Sequence, residues 1–267
     1  MRTGVRLVRP LVVLVVLAGV NAIAMPEAAR AQTVEELEAM QVPLLRHRPI
    51  YFAFSDEESK IQISFRFRFG EESNLNLAYS QTVFWALNKD SVPVEETRYR
   101  PELFYSFQLD SPWVRRLNVG FNEHDSNGLD GDASRSYDAS YLETVSYLDP
   151  GQRDIRWVNR VFDYYQVGST NRDIKYYRST LETQLDYHAG FLENDRVMLR
   201  AVLRQRREEE EESGHGIGAY EIGYRFPIPY ATEGSGQFYV QYYNGYNETW
   251  RDYDERTQSL RAGFMLR

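Results

Sequence analysis

Cysteine is absent from all 267 residues, which excludes a disulfide framework and any thiolate metal or redox centre. Beyond the first thirty residues no apolar run approaches the ~18 residues a membrane helix needs, so the chain does not cross a bilayer as helices. No basic stripe stands out either: 31 Lys and Arg face 39 Asp and Glu, a net charge of -8, which argues against a nucleic-acid binder. A Gly-x-Ser-x-Gly elbow is also missing, which counts against a soluble secreted serine esterase. What the chain has in quantity is aromatic residues, 20 Tyr and 14 Phe, and these fit the pleated, half-buried surface of strands.

The N-terminus reads as an export signal. Arg2, Arg6 and Arg9 precede an apolar stretch from Leu11 to Ala24, and Ala29-Arg30-Ala31 offers a cleavage site before Gln32, with a cut after Ala24 as an alternative. Residues 1–31 are therefore expected to be removed. Residues 32–48, amphipathic through Val34, Leu37, Met40 and Val42, are expected to form a short periplasmic segment, and 49–267 the main domain.

From about residue 50 onward, period-two alternation recurs. Ile61, Ile63, Phe65, Phe67 and Phe69 alternate with Gln62, Ser64, Arg66 and Arg68; Val197, Leu199, Ala201 and Leu203 alternate with Arg200, Arg204 and Arg206. Leu181, Leu185 and Tyr187 face away from Glu182, Gln184, Asp186 and His188, and Leu260, Ala262, Phe264 and Leu266 share a face. Segments of about ten residues with one apolar and one charged face are what a tilted strand needs to cross a bilayer around a polar interior. The expected fold is all-β: a twelve-stranded antiparallel transmembrane β-barrel, with strands centred near residues 52, 64, 81, 104, 120, 141, 160, 182, 201, 221, 242 and 261. Short turn-like connections such as Asp110-Ser111-Pro112 and Glu193-Asn194-Asp195 would lie on the periplasmic side. Arg66, Arg68, Arg200, Glu182 and Asp186 would fill the interior, and the acidic run Glu208 to Glu212 would be a solvated outer loop.

One hairpin carries candidate chemistry. His124 and Ser126 are two apart and so share a strand face. If the outer loop centres on Gly131, position 124 pairs with 138 and position 126 with 136, which places Asp138 across from His124. Hydroxyl, imidazole and carboxylate so gathered suit nucleophilic acyl transfer, with Ser126 attacking, His124 taking the proton and Asp138 fixing the tautomer. His47, His188 and His215 lack such partners and read as surface histidines.

The stretch His124-Asp125-Ser126-Asn127-Gly128, followed by Ser134-Arg135-Ser136, resembles the active-site hairpin of the bacterial outer-membrane phospholipase A family. Tyr79-Ser80-Gln81, Trp85, Ser91-Val92-Pro93, Glu96-Thr97, Tyr99 and Pro101-Glu102-Leu103-Phe104 agree with it, as do Tyr243-Asn244-Gly245-Tyr246, Glu248, Asp252-Tyr253 and Arg256-Thr257. The resemblance implies a calcium-dependent enzyme that hydrolyses phospholipid acyl esters (A1/A2), active as a homodimer in the outer membrane. It implies Ser126 as nucleophile, His124 as base and the Gly128 amide as part of the oxyanion hole. Calcium would take the Leu129 carbonyl, the Ser134 hydroxyl and the partner subunit's Ser91 carbonyl, one ion per site and two per dimer. All three are oxygen donors of the kind a hard cation prefers. Gln81, the one polar member of a lipid-facing row running from Leu75 to Leu87, would pair across the dimer axis; the alternative is a reversed strand with Gln81 inside. Asp130 and Asp132 are expected to be solvated.

Two departures from the family bear on mechanism. Asp138 stands where asparagine is usual and would hold the charged imidazole more strongly. Strict alternation from Leu117, Val119 and Phe121 would turn His124 and Ser126 inward, so a β-bulge near Asn122-Glu123 is predicted to restore the lipid face. The competing reading is a non-catalytic barrel, a pore or structural protein.

Overall fold

The computed structural model describes residues 44–266 except 70–72, 150–153, 179, 206–214 and 230–235. The signal, most of the 32–48 segment and the Glu208–Glu212 run lie outside the described residues. Twelve strands alternate in direction: β1 (Ile50–Phe54), β2 (Ser59–Arg68), β3 (Leu75–Trp85), β4 (Val94–Gln108), β5 (Val114–Ser126) and β6 (Ser136–Tyr147). The second half comprises β7 (Arg156–Val167), β8 (Leu181–His188), β9 (Arg196–Gln205), β10 (His215–Pro227), β11 (Gln237–Gly245) and β12 (Thr257–Leu266). Each pairs with its sequence neighbours, and β1 pairs with β12 through Phe52↔Phe264, so the barrel is closed. Every expected strand centre falls within its strand.

Period two decides which side chains meet lipid. On β1, Tyr51 and Ala53 are buried while Phe52 and Phe54 are exposed; on β12, Met265 is buried while Leu260, Phe264 and Leu266 are exposed. An apolar outer wall around a polar interior is the architecture of a bacterial outer-membrane barrel, in which closure removes the unpaired edges that lipid cannot satisfy. Chain termini and short turns mark the periplasmic end. There Asp195 accepts the amides of Gly190, Phe191 and Leu192 and the Tyr224 hydroxyl. Desolvation pushes this carboxyl up, but the ring of donors outweighs it and holds the group below the usual aspartate value.

The lumen is filled by ion pairs. Glu102 and Glu123 have no exposed side-chain surface and lie between Arg160 and Arg48, while Glu182 pairs with Arg178 and Arg200. This mid-lumen cluster revises the expectation for the residues preceding β1. Leu45 bridges Arg66 of β2, and His47 is half-buried, with its Nε2 3.0 Å from Glu102 and its ring stacked on Phe104. Residues 46–49 thus line the barrel interior, and His47 is no surface histidine. The physical reason is the pair of buried carboxylates, Glu102 and Glu123, which need cationic partners that Arg48 supplies at 2.7 and 3.2 Å.

Candidate functional site

The register of β5 breaks between Gly120 and Glu123. Leu103 pairs with Asn122 and Phe104 with Gly120 on one side, while Gly120 pairs with Tyr141 and Glu123 with Ala139 on the other. One extra residue is thereby inserted, and the parity of the strand changes. Gly120, Glu123 and Asp125 are buried, Phe121 is exposed, and His124 and Ser126 take the outer face. The bulge lies where the sequence placed it. Gly120 is required beside it, because a Cβ there would meet the Tyr141 ring, whose hydroxyl reaches Glu102 at 3.1 Å.

Beyond the bulge the hairpin is regular. His124 pairs with Asp138 and Ser126 with Ser136, as expected. His124 Nδ1 lies 2.8 Å from Asp138 Oδ1; the imidazole is partly exposed and the carboxylate nearly buried. Since the carboxylate can only accept, Nδ1 carries the proton and Nε2 is left with a lone pair. The Ser126 hydroxyl accepts the Gly128 amide at 3.0 Å and makes no hydrogen bond to the imidazole. Gly128 has φ +70, and a Cβ there would collide with Tyr99, so glycine is required twice over. Phe121, Leu142, Val161 and Tyr165 are exposed on the surrounding wall.

Inside the wall, residues the sequence reading gave no role hold this hairpin in place. Asp125, fully buried between His124 and Ser126 in sequence, receives Arg98 at 2.7 Å, Arg100, the Trp250 indole at 2.9 Å and the Tyr137 hydroxyl. The β11–β12 loop is drawn into the outer mouth, with Glu96 accepting the Trp250 and Arg251 amides and Trp250 fully buried. Asn127 bridges the hairpin loop, accepting the Leu129 and Arg135 amides and donating to the Ala133 carbonyl. From the β7–β8 loop, buried Asn171 bonds both backbone groups of Ser136, and Thr170 donates to the Ser134 carbonyl. Alternation would have flagged Glu123 and Asp125 as inward once the bulge was placed; nothing in the sequence marks Asn171 or Trp250.

The expected metal donors sit at the same end of the barrel. Leu129 and Ser134 flank the 3-10 turn Gly131–Ala133, and Ser91 lies in the exposed loop between β3 and β4, beside Val92 with φ 47. Among the described residues there is no cluster of three His, Cys, Asp or Glu that could hold a metal. The Ser134 hydroxyl makes no hydrogen bond among the described residues, and Leu129 is exposed, so these oxygens suit a hard cation better than a soft one. Asp130 and Asp132 are exposed. On β3, Gln81 faces outward between its partners Ile63 and Tyr99, so the strand is not reversed; its carbonyl accepts the Tyr79 hydroxyl at 3.2 Å.

Comparison with known proteins gives a consistent result. The sequence model of the phospholipase A1 family matches residues 26–266. Phospholipase A1 of Salmonella typhimurium and of Escherichia coli K12 are each 31% identical over 223 residues, covering 79% of this chain and 70% of the relative. The fold is that of outer membrane phospholipase A from Escherichia coli, with a TM-score of 0.70 at 24% identity over 84% of this chain and 92% of that one. It is likewise that of the outer membrane phospholipase of Salmonella typhi, a dimer with bound calcium, with a TM-score of 0.70 at 23% identity over 88% and 96% of the two chains.

Proposed function

The chain belongs to the phospholipase A1 family and is a phospholipase of the bacterial outer membrane; on that premise, we propose that the β5–β6 hairpin is its active site. Ser126 attacks the acyl carbonyl of a phospholipid, and His124 Nε2 takes the hydroxyl proton. Asp138 keeps Nδ1 protonated and offsets the charge of the imidazolium. The Gly128 amide, already directed at the Ser126 oxygen, is placed to donate to the oxyanion that forms on the carbon bound to it. Collapse expels the lysophospholipid alkoxide, which His124 protonates, and water then releases the fatty acid by the same proton path. For Nε2 to accept the proton, the Ser126 side chain turns from Gly128 toward the ring, a rearrangement common when substrate binds.

Calcium fits as the cofactor. Leu129 and Ser134 would hold it, with the partner subunit's Ser91 completing the set in a homodimer paired through Gln81, one ion in each of two sites. When bound, the ion polarises the ester carbonyl and adds to oxyanion stabilisation. Residues 1–31 act as the export signal, 32–48 as a short periplasmic N-terminal segment, and 49–267 as the barrel domain.

The observation that carries this reading is the His124–Asp138 contact on the outer wall, where the bulge has turned it toward lipid. The test is phospholipid hydrolysis by purified protein in detergent, with calcium and with a chelator. Activity lost on chelation and reduced by about 10⁴-fold or more in Ser126→Ala is expected. Hydrolysis retained in Ser126→Ala, or ion conductance without hydrolysis, would overturn it; the latter would favour a non-catalytic barrel.

A further inference from the structure

The lumen contains a cavity of about 590 Å³ that runs along the mid-lumen ion pairs. Its carboxylates are already engaged. Glu143 is bound by Arg160 at 2.6 Å, Asp186 by Arg196 and Arg225, Glu182 by Arg178 and Arg200, and Glu221 faces Arg200 at 3.6 Å. Toward the periplasmic end the same cavity is lined by Arg66, Arg116 and Arg156, and none of these has a carboxylate within ion-pair distance among the described residues. Arg66 makes one long contact to Asn76, at 3.5 Å, and the Nε atoms of Arg66 and Arg116 are buried with no hydrogen-bond partner. Arg116 and Arg156 flank β6 at adjacent inward steps, since Arg116 pairs with Val145 and Arg156 with Tyr147.

Like charges brought together inside a protein wall repel strongly unless an anion joins them. Guanidinium groups lining one cavity can offer the paired donors that a tetrahedral oxyanion accepts. We propose that the periplasmic half of the lumen is a binding site for a multiply charged oxyanion of the phosphate class, held by Arg66, Arg116 and Arg156. The site is separated by the barrel wall from the β5–β6 hairpin and does not depend on the catalytic reading. Its ligand is either free inorganic phosphate or the phosphate group of a small phosphomonoester.

The test is isothermal titration of sodium phosphate, and separately of glycerol 3-phosphate, into the folded full chain in nonionic detergent, with ionic strength fixed by sodium chloride. Saturable binding of one phosphate per chain is expected, weakened about tenfold or more in Arg116→Gln/Arg156→Gln, because charge-assisted hydrogen bonds are lost. Arg172→Gln, which removes the same charge from an exposed outer loop, is expected to bind as the unaltered chain does. Equal or tighter binding of glycerol 3-phosphate would assign the site to phosphomonoesters, and weaker binding would assign it to the free ion; either supports the proposal. The double variant is also expected to melt higher than the unaltered chain in chloride alone, since repulsion is relieved, with phospholipid hydrolysis unchanged. If the double variant does not fold, Arg156→Gln alone carries the comparison. No saturable heat from either ligand, or undiminished affinity in the arginine variants, would overturn the proposal.

Discussion

Asp138 shows how little separates a structural contact from a chemical one. Its oxygen lies 2.8 Å from His124 Nδ1, which needs a hydrogen-bond acceptor and not specifically a charge to hold the tautomer. An amide oxygen at this position can accept the same bond. Asp138→Asn is therefore expected to keep phospholipase activity within about tenfold, whereas Asp138→Ala, which removes the acceptor, should cost about 10²- to 10⁴-fold in kcat. Steady-state hydrolysis of the three proteins decides it, and equal losses in both variants would show that charge rather than orientation matters. At this scale the sequence was informative for residues whose partners lie across one hairpin. His124, Ser126 and Asp138 were legible because pairing about Gly131 is simple arithmetic on a period of two. His47 was not, because its partner Glu102 lies 55 residues away and on another strand. Trp250 and Asp125 escaped for the same reason, being 125 residues apart.

At the scale of elements, strand parity is the controlling quantity. The apolar rows and their charged complements located all twelve strands, since each face meets a different solvent. Turn chemistry set the periplasmic connections. The bulge at Gly120–Glu123 was inferred from a conflict between Phe121 facing out and Ser126 needing to, and its position follows from that conflict. Excising Asn122 removes the extra residue itself, so it should give regular alternation that keeps Phe121, His124 and Ser126 on the lipid face and Glu123 and Asp125 in the lumen. The expected result is hydrolysis and membrane assembly largely retained. Excising Phe121 together with Asn122 reverses the parity, turning His124 and Ser126 inward and Glu123 and Asp125 to lipid, and should abolish hydrolysis; equal hydrolysis by the two excision variants would contradict the parity account. The β8–β9 turn offers a pH-dependent counterpart. Asp195 is held below its unfolded value, so its contribution is present above about pH 4 and is lost as pH falls through the folded value. Asp195→Asn is expected to lower barrel stability at neutral pH, with the gap from the unaltered chain closing as the medium is acidified. Urea unfolding monitored by tryptophan fluorescence across pH would show this, and a gap independent of pH would refute it.

Taken whole, the molecule encloses charge in a way that ties its first described residues to the wall that carries His124 and Ser126. Arg48 reaches Glu102 and Glu123, and Glu123 also meets Arg160 and the Tyr137 hydroxyl, one residue before His124. Removing Arg48 leaves buried carboxylates short of a cation. Arg48→Ala should destabilise the barrel by about 3–5 kcal/mol, less any relief from bound water, while Arg48→Lys should recover part of it. Equilibrium unfolding in detergent measures both, and an unchanged midpoint for Arg48→Ala would mean that the cluster is self-sufficient without the entering segment. The sequence could not show this linkage, because net charge and alternation say which residues face inward but not which of them meet.

The outward placement of His124 and Ser126 on the barrel wall has a kinetic consequence. A reactant that never leaves its leaflet is met by diffusion in a plane, so encounters scale with lipids per unit area and not per unit volume. Turnover in mixed micelles should thus track the mole fraction of phospholipid at constant bulk amount, and inert detergent should slow the enzyme by surface dilution alone.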